Sequence, residues 1–135
     1  MATTNLQTKV NKKPANTKAY DLEERTLEFS KRALQILKGL PQNTFNTPII
    51  SQVVRSITAI GANYIEAKES LGKKDFIMRV RISRKEAKES CYWLRILVSN
   101  NNGLQIIKSV DELLDESFQL LKILSKIIEN SSNKA

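Results

Sequence analysis

The chain has 135 residues, a one-domain length that can enclose a core without disulfides or a bound metal. Hydrophobic residues make up 41% and charged residues 27%, and four Gly with three Pro leave few places for turns, which favours long helices over many short strands. A single cysteine, Cys91, excludes an intrachain disulfide framework, and the formal charge of +8 favours anionic partners.

Residues 1–19 are rich in Thr, Asn and Lys and offer little to bury, so they are predicted to form a flexible basic N-terminal arm. A solubilising role suits it as well as a nucleic-acid contact does. The arm lacks the apolar stretch of a signal peptide, and no run approaches the roughly 20 apolar residues of a membrane span. A cytoplasmic location is expected.

Residues 20–130 are predicted to form one helical domain. Asp21 with Glu24 has capping-box spacing and predicts the start of a first helix, which runs to about Leu40 on an apolar stripe of Leu22, Phe29, Ala33, Ile36 and Leu37. Thr47 before Pro48 predicts the N-cap and first residue of a second helix. Its stripe is Ile50, Val53, Val54, Ile57, Ile60, Gly61, Tyr64 and Leu71, and the small residues Ser56, Ala59 and Ala62 beside it allow close approach of a neighbour. Continuous periodicity outweighs the cost of Gly61, about 1 kcal/mol relative to Ala.

Leu71 and Gly72 supply the next break. The third helix is predicted to reach Ser99, with Phe76, Val80, Ser83, Ala87, Leu94 and Val98 on one face and Lys74, Arg81, Lys85, Lys88 and Arg95 on the opposite one. A flanking apolar stripe of Met78, Ile82, Trp93 and Ile96 exceeds what one bundle core needs and predicts an oligomer interface. Asn100–Gly103 reads as a turn with a left-handed cap, Leu104–Lys108 as a short connection, and Ser109 with Glu112 as the capping box of a fourth helix. Val110, Leu113, Leu114, Phe118, Leu121, Leu124, Ile127 and Ile128 give it a wide apolar stripe, and residues 131–135 are predicted to fray. Four amphipathic helices with short connections predict an all-α, antiparallel up-down-up-down four-helix bundle.

Without histidine, neither Ser-His-Asp nor Cys-His constellations nor Glu-x-x-His metal pairs can form, and no glycine-rich phosphate loop is present. No enzymatic activity, cofactor, metal or small-molecule substrate is expected. Glu86 and Glu89 lie on one side of the third helix, where ion pairing with Arg79, Lys85 or Arg95 explains them more simply than acid–base chemistry does. Arg55, Asn63 and Glu66 occupy one region of the second helix. They read either as cross-helix or cross-subunit polar contacts or as a ligand contact, the first being favoured because a buried charge needs a partner.

Residues 73–95 hold Lys73, Lys74, Arg79, Arg81, Arg84, Lys85, Lys88 and Arg95 against Asp75, Glu86 and Glu89, a local net charge of +5. Lys74, Arg81, Arg84, Lys85, Lys88 and Arg95 are therefore the candidate nucleic-acid-binding residues, through phosphate contacts that release counterions. Tyr92 and Trp93 can stack on bases, although aromatics at helical spacing more often anchor a core or an interface. Cys91 reads as a small buried residue.

The run Arg55–Ala67, RSITAIGANYIEA, resembles the R-A-A-x-S-I-x-x-N-I-A-E-G segment of the bacterial four helix bundle proteins, also called 23S rRNA-intervening sequence proteins, with Arg55, Ile60, Asn63 and Glu66 in register. Lys74–Ile77 resembles the family's K-E-F-I helix start, and Lys85–Arg95 its K-E-A-x-E-x-x-Y-W-L-R form. Val54 stands where the family often has the first of two arginines, Ala59 where the motif has Ser, and Ala67 where it has Gly. The missing arginine weakens any transfer of an RNA-contacting Arg pair. The resemblance implies an up-down four-helix protomer in a ring-like homo-oligomer, typically a pentamer, with RNA or another nucleic acid as partner. The alternative is a scaffold whose partner is a protein.

Overall fold

The computed structural model describes residues 18–132, with side chains from Leu22 onward. Four helices account for nearly all of it: α1 (Lys18–Lys38), α2 (Thr47–Lys68), α3 (Lys73–Asn100) and α4 (Leu104–Ser132). No strand occurs among the described residues. The N-terminal arm up to residue 17 lies outside them, as do residues 133–135. Lys18 and Ala19, assigned above to the arm, and Ser131 and Ser132, assigned to the frayed end, are helical.

Each helix packs on its neighbours in sequence, and α1 also meets α4, so the four enclose one core. Leu22, Phe29, Leu37, Val53, Ile57, Ile60, Tyr64, Val80, Leu94, Leu97, Val110, Leu113, Leu120 and Leu124 are all buried within it. On α3 the inward face is Val80, Ser83, Ala87, Ser90, Cys91, Leu94 and Leu97, while Phe76 and Val98 are only partly covered.

Close helix contact depends on small residues. A Cβ added to Gly61 would lie 2.7 Å from Thr26 Oγ1 and 3.0 Å from Thr26 Cβ, so α1 and α2 touch where glycine permits it. Between α2 and α3 the buried serines form a polar seam. Ser83 Oγ donates to the Ile60 carbonyl at 2.7 Å, and Ser90 Oγ lies 2.8 Å from Ser56 Oγ and 2.9 Å from the Glu86 carbonyl. These pairs run in opposite sequence senses along the two helices.

The helix starts differ from the sequence reading. Helix α1 begins at Lys18, which puts Asp21 inside the first turn rather than at the cap. Helix α4 begins at Leu104, closed by Ile107 N–H donating to the Gly103 carbonyl at 2.9 Å, so Ser109 is interior and the expected connection is helical. The reason is burial: Ile106 packs on the core one turn ahead of Val110, and the apolar period continues past the capping-box sequence. The N-cap of α2 is Asn46, one residue before Thr47, and its side chain makes no capping bond.

Asn46 is buried because its side chain bonds the end of α3, which lies beside the start of α2. Asn46 Nδ2 donates to Asn101 Oδ1 at 3.0 Å and Asn101 Nδ2 donates back to Asn46 Oδ1 at 3.1 Å. Asn46 Nδ2 also reaches the Pro41 carbonyl, and Asn101 Nδ2 the Leu97 carbonyl at 2.7 Å. The expected left-handed cap after α3 is absent: no described residue has positive φ, and Asn101 is extended at φ −125°, ψ 150°. Its side chain satisfies the helix-end carbonyl that a left-handed cap would otherwise have served.

Candidate nucleic-acid interface

Helix α3 is 28 residues long, and only about a third of its circumference faces the core, which leaves a long outer side. Lys74, Arg81, Lys85, Lys88 and Arg95 are exposed along it, and Arg84 is partly covered. From Lys74 to Arg95 the row extends about 32 Å at 1.5 Å per residue. None of these six cations takes part in an ion pair among the described residues.

Four cations of α1 and α2 instead tie helices together, whereas Lys38, Lys108 and Lys122 are, like the α3 row, exposed without an ion pair among the described residues. Arg25 of α1 clamps Glu116 of α4 with two hydrogen bonds, 2.7 and 2.8 Å, and Arg32 meets Glu112 at 2.9 Å. Lys68 reaches Glu23 at 2.7 Å. The Glu116 carboxylate bonded to Arg25, and Glu23 bonded to Lys68, raise the pKa of each cation. Such contacts tie α1 to α4 and α2, whereas the α3 row is unopposed.

Glu86 and Glu89 do not pair with Arg79, Lys85 or Arg95. Arg55 of α2 crosses to α3 and bonds both, Glu86 at 3.2 Å and Glu89 through its other terminal nitrogen, while its Nε bonds Gln52. Glu89 Oε2 also accepts from Trp93 Nε1 at 3.0 Å. The helix packing that brings Arg55 over Glu86 and Glu89 leaves Lys85 and Arg95 free on the outer row. Asn63 bonds its own helix at the Ala59 carbonyl, 2.9 Å away, and Glu66 is exposed without an ion pair among the described residues. Arg55, Asn63 and Glu66 therefore do not converge.

The apolar stripe beside the cations is graded. Met78 is 56% exposed, while Ile82, Trp93 and Ile96 are half-buried. Toward the start of α3, Ile77, Met78 and Ile82 line a shallow groove with Lys74, Arg81 and Lys85, and Ser132 of α4 adds to its lining. Burial pushes the Cys91 thiol above its ordinary pKa, against a smaller opposing pull from Arg95. Among the described residues no three His, Cys, Asp or Glu side chains converge on a metal position, and no helix is long and apolar enough to cross a membrane.

This α3 surface lies within the reach of a family comparison. The model of the 23S rRNA-intervening sequence protein family matches residues 18–126, which takes in α1 to α3, most of α4 and the basic row. The chain belongs to the 23S rRNA-intervening sequence protein family. A solved structure from Bacteroides thetaiotaomicron, described as a protein of unknown function from the S23 ribosomal protein family, is 31% identical. The match covers 78% of this chain and 96% of that one with a TM-score of 0.70. No curated protein matches. For this intervening-sequence protein the two loop asparagines, the Arg25–Glu116 clamp, Arg32–Glu112, Lys68–Glu23 and the serine seam are polar contacts that sequence reasoning missed. For the asparagines the only local signal was their enrichment in both loops, PQNTFN and NNNG, which does not say that the loops meet.

Proposed function

We propose that this chain is a non-enzymatic, cytoplasmic, homo-oligomeric protein that binds RNA or another nucleic acid through the outer side of α3. Its protomer is an antiparallel up-down-up-down bundle, and protomers assemble into a ring-like homopentamer, as the family resemblance implies. The observation that carries the binding reading is the row Lys74, Arg81, Arg84, Lys85, Lys88 and Arg95, unpaired while Arg25, Arg32, Arg55 and Lys68 are each tied to a carboxylate on another helix. An unpaired row attracts a polyanion without sequence readout, because phosphates offer charge and no base edge.

Subunit contact is assigned to Met78, Ile82, Trp93 and Ile96, whose partial exposure leaves apolar area to cover. No cofactor, metal or small-molecule substrate enters this reading. A scaffold with a protein partner is the second reading, supported by the same apolar groove at Ile77, Met78 and Ile82.

Light-scattering mass together with the ultraviolet absorbance ratio of protein purified without a nucleic-acid stripping step tests both parts. A pentamer mass with excess absorbance at the nucleic-acid maximum is the expected result. A monomer mass overturns the assembly, and failure to retain structured RNA at low salt overturns the binding.

A further inference from the structure

Tyr92 is out of place for a core or a solvated face. It is 59% exposed on α3, with Lys88 four residues before it, Arg95 three after it and Lys85 seven before it, all on the same side of the helix. Burial does not explain the aromatic ring. No hydrogen bond holds its hydroxyl and no cation lies over its face among the described residues, so the flanking charges border the ring without covering it.

The ring is nevertheless propped in place. It meets Trp93 edge-on, with centroids 5.0 Å apart and planes at 74°. Trp93 is half-buried, its Nε1 bonds Glu89, and Glu89 is held by Arg55 from α2. One side of Tyr92 therefore rests on an anchored indole and the other faces solvent between cations. Pre-ordering of this kind reduces the entropy lost when a flat ligand stacks.

We propose that Tyr92 is a stacking platform for an unpaired nucleobase, with Lys85, Lys88 and Arg95 holding the phosphates on either side of it. The ligand class is then single-stranded or looped nucleic acid in preference to a continuous duplex. In a duplex both faces of each base are occupied by its neighbours, and only an unstacked base can offer one to a side chain. The inference rests on the polyanion reading and narrows it.

The test is titration of a labelled oligouridylate and of a blunt RNA duplex with wild type, Tyr92→Ala and Tyr92→Phe, across a salt series. Stacking one base on an aromatic ring predicts that Tyr92→Ala weakens oligouridylate binding by about 5- to 150-fold. Tyr92→Phe retains the wild-type affinity, and neither change alters the salt slope, since no phosphate contact is lost. Lys88→Ala instead reduces the single-strand slope by about 0.7. Oligouridylate bound equally by wild type and Tyr92→Ala overturns the platform, and so does binding of the duplex alone; either leaves the polyanion reading intact. Binding of neither ligand overturns both.

Discussion

At the scale of single residues, two positions report on how tightly the bundle is closed. Gly61 sits mid-helix, where alanine would ordinarily be favoured by about 1 kcal/mol. Its added Cβ would fall within 3.0 Å of Thr26, whose own hydroxyl bonds the Glu23 carbonyl, so α1 must shift to make room. Overpacking of this kind costs about 1–3 kcal/mol and outweighs the propensity gain. Gly61→Ala is expected to lower stability by about 1 kcal/mol in denaturant unfolding, and Gly61→Val by more; an unchanged midpoint for both would place the α1–α2 contact elsewhere. Cys91, buried with its pKa raised by desolvation, stays a neutral thiol at neutral pH. Its alkylation is expected to be slow in the folded protein until pH rises well above the usual thiol range, and fast after unfolding in urea. Rapid labelling of the native protein at neutral pH would contradict that burial.

At the scale of elements, apolar periodicity made the helices legible, and local polar signals misplaced their ends. Asp21–Glu24 and Ser109–Glu112 both have capping-box spacing, yet both lie inside helices; in α4 the packing of Ile106 on the core continues the helix upstream. Gly61 was legible as helical because residues on both sides kept the period. The outward row of α3 was legible for the same reason, since one wheel assigns every position. What the wheel cannot give is which helix lies opposite. Arg55 to Glu86 and Glu89, Arg25 to Glu116, and Asn46 to Asn101 each depend on the register between two helices. The asparagine pair locks the α1–α2 connection to the end of α3, and Asn100 adds a bond from Nδ2 to the Phe45 carbonyl at 2.8 Å. Asn101→Ala would leave the Asn46 amide oxygen and the Leu97 carbonyl short of buried donors. The expected loss is about 2 kcal/mol, with faster hydrogen exchange confined to residues 40–50 and the last turn of α3. A loss below about 0.5 kcal/mol would show that water replaces the pair.

At the scale of the whole molecule, charge is divided between two uses. Arg25 and Arg32 of α1 and Arg55 and Lys68 of α2 are matched to carboxylates across helix contacts, while Lys74, Arg81, Lys85, Lys88 and Arg95 of α3 are exposed without an ion pair among the described residues. The same helix carries the apolar stripe beside the cation row. Trp93→Ala is expected to shift the particle toward smaller species in light scattering; an unchanged mass with only lowered stability would place Trp93 inside the protomer core instead. The most direct measurement is the salt dependence of RNA affinity for wild type and for Lys85→Gln/Lys88→Gln/Arg95→Gln. Wild-type affinity should fall linearly on logarithmic axes, and the slope of the triple variant should be shallower by about 2–3, the counterions of three phosphate contacts. Equal slopes for the two proteins, or affinity insensitive to salt, would contradict a nucleic-acid interface on α3.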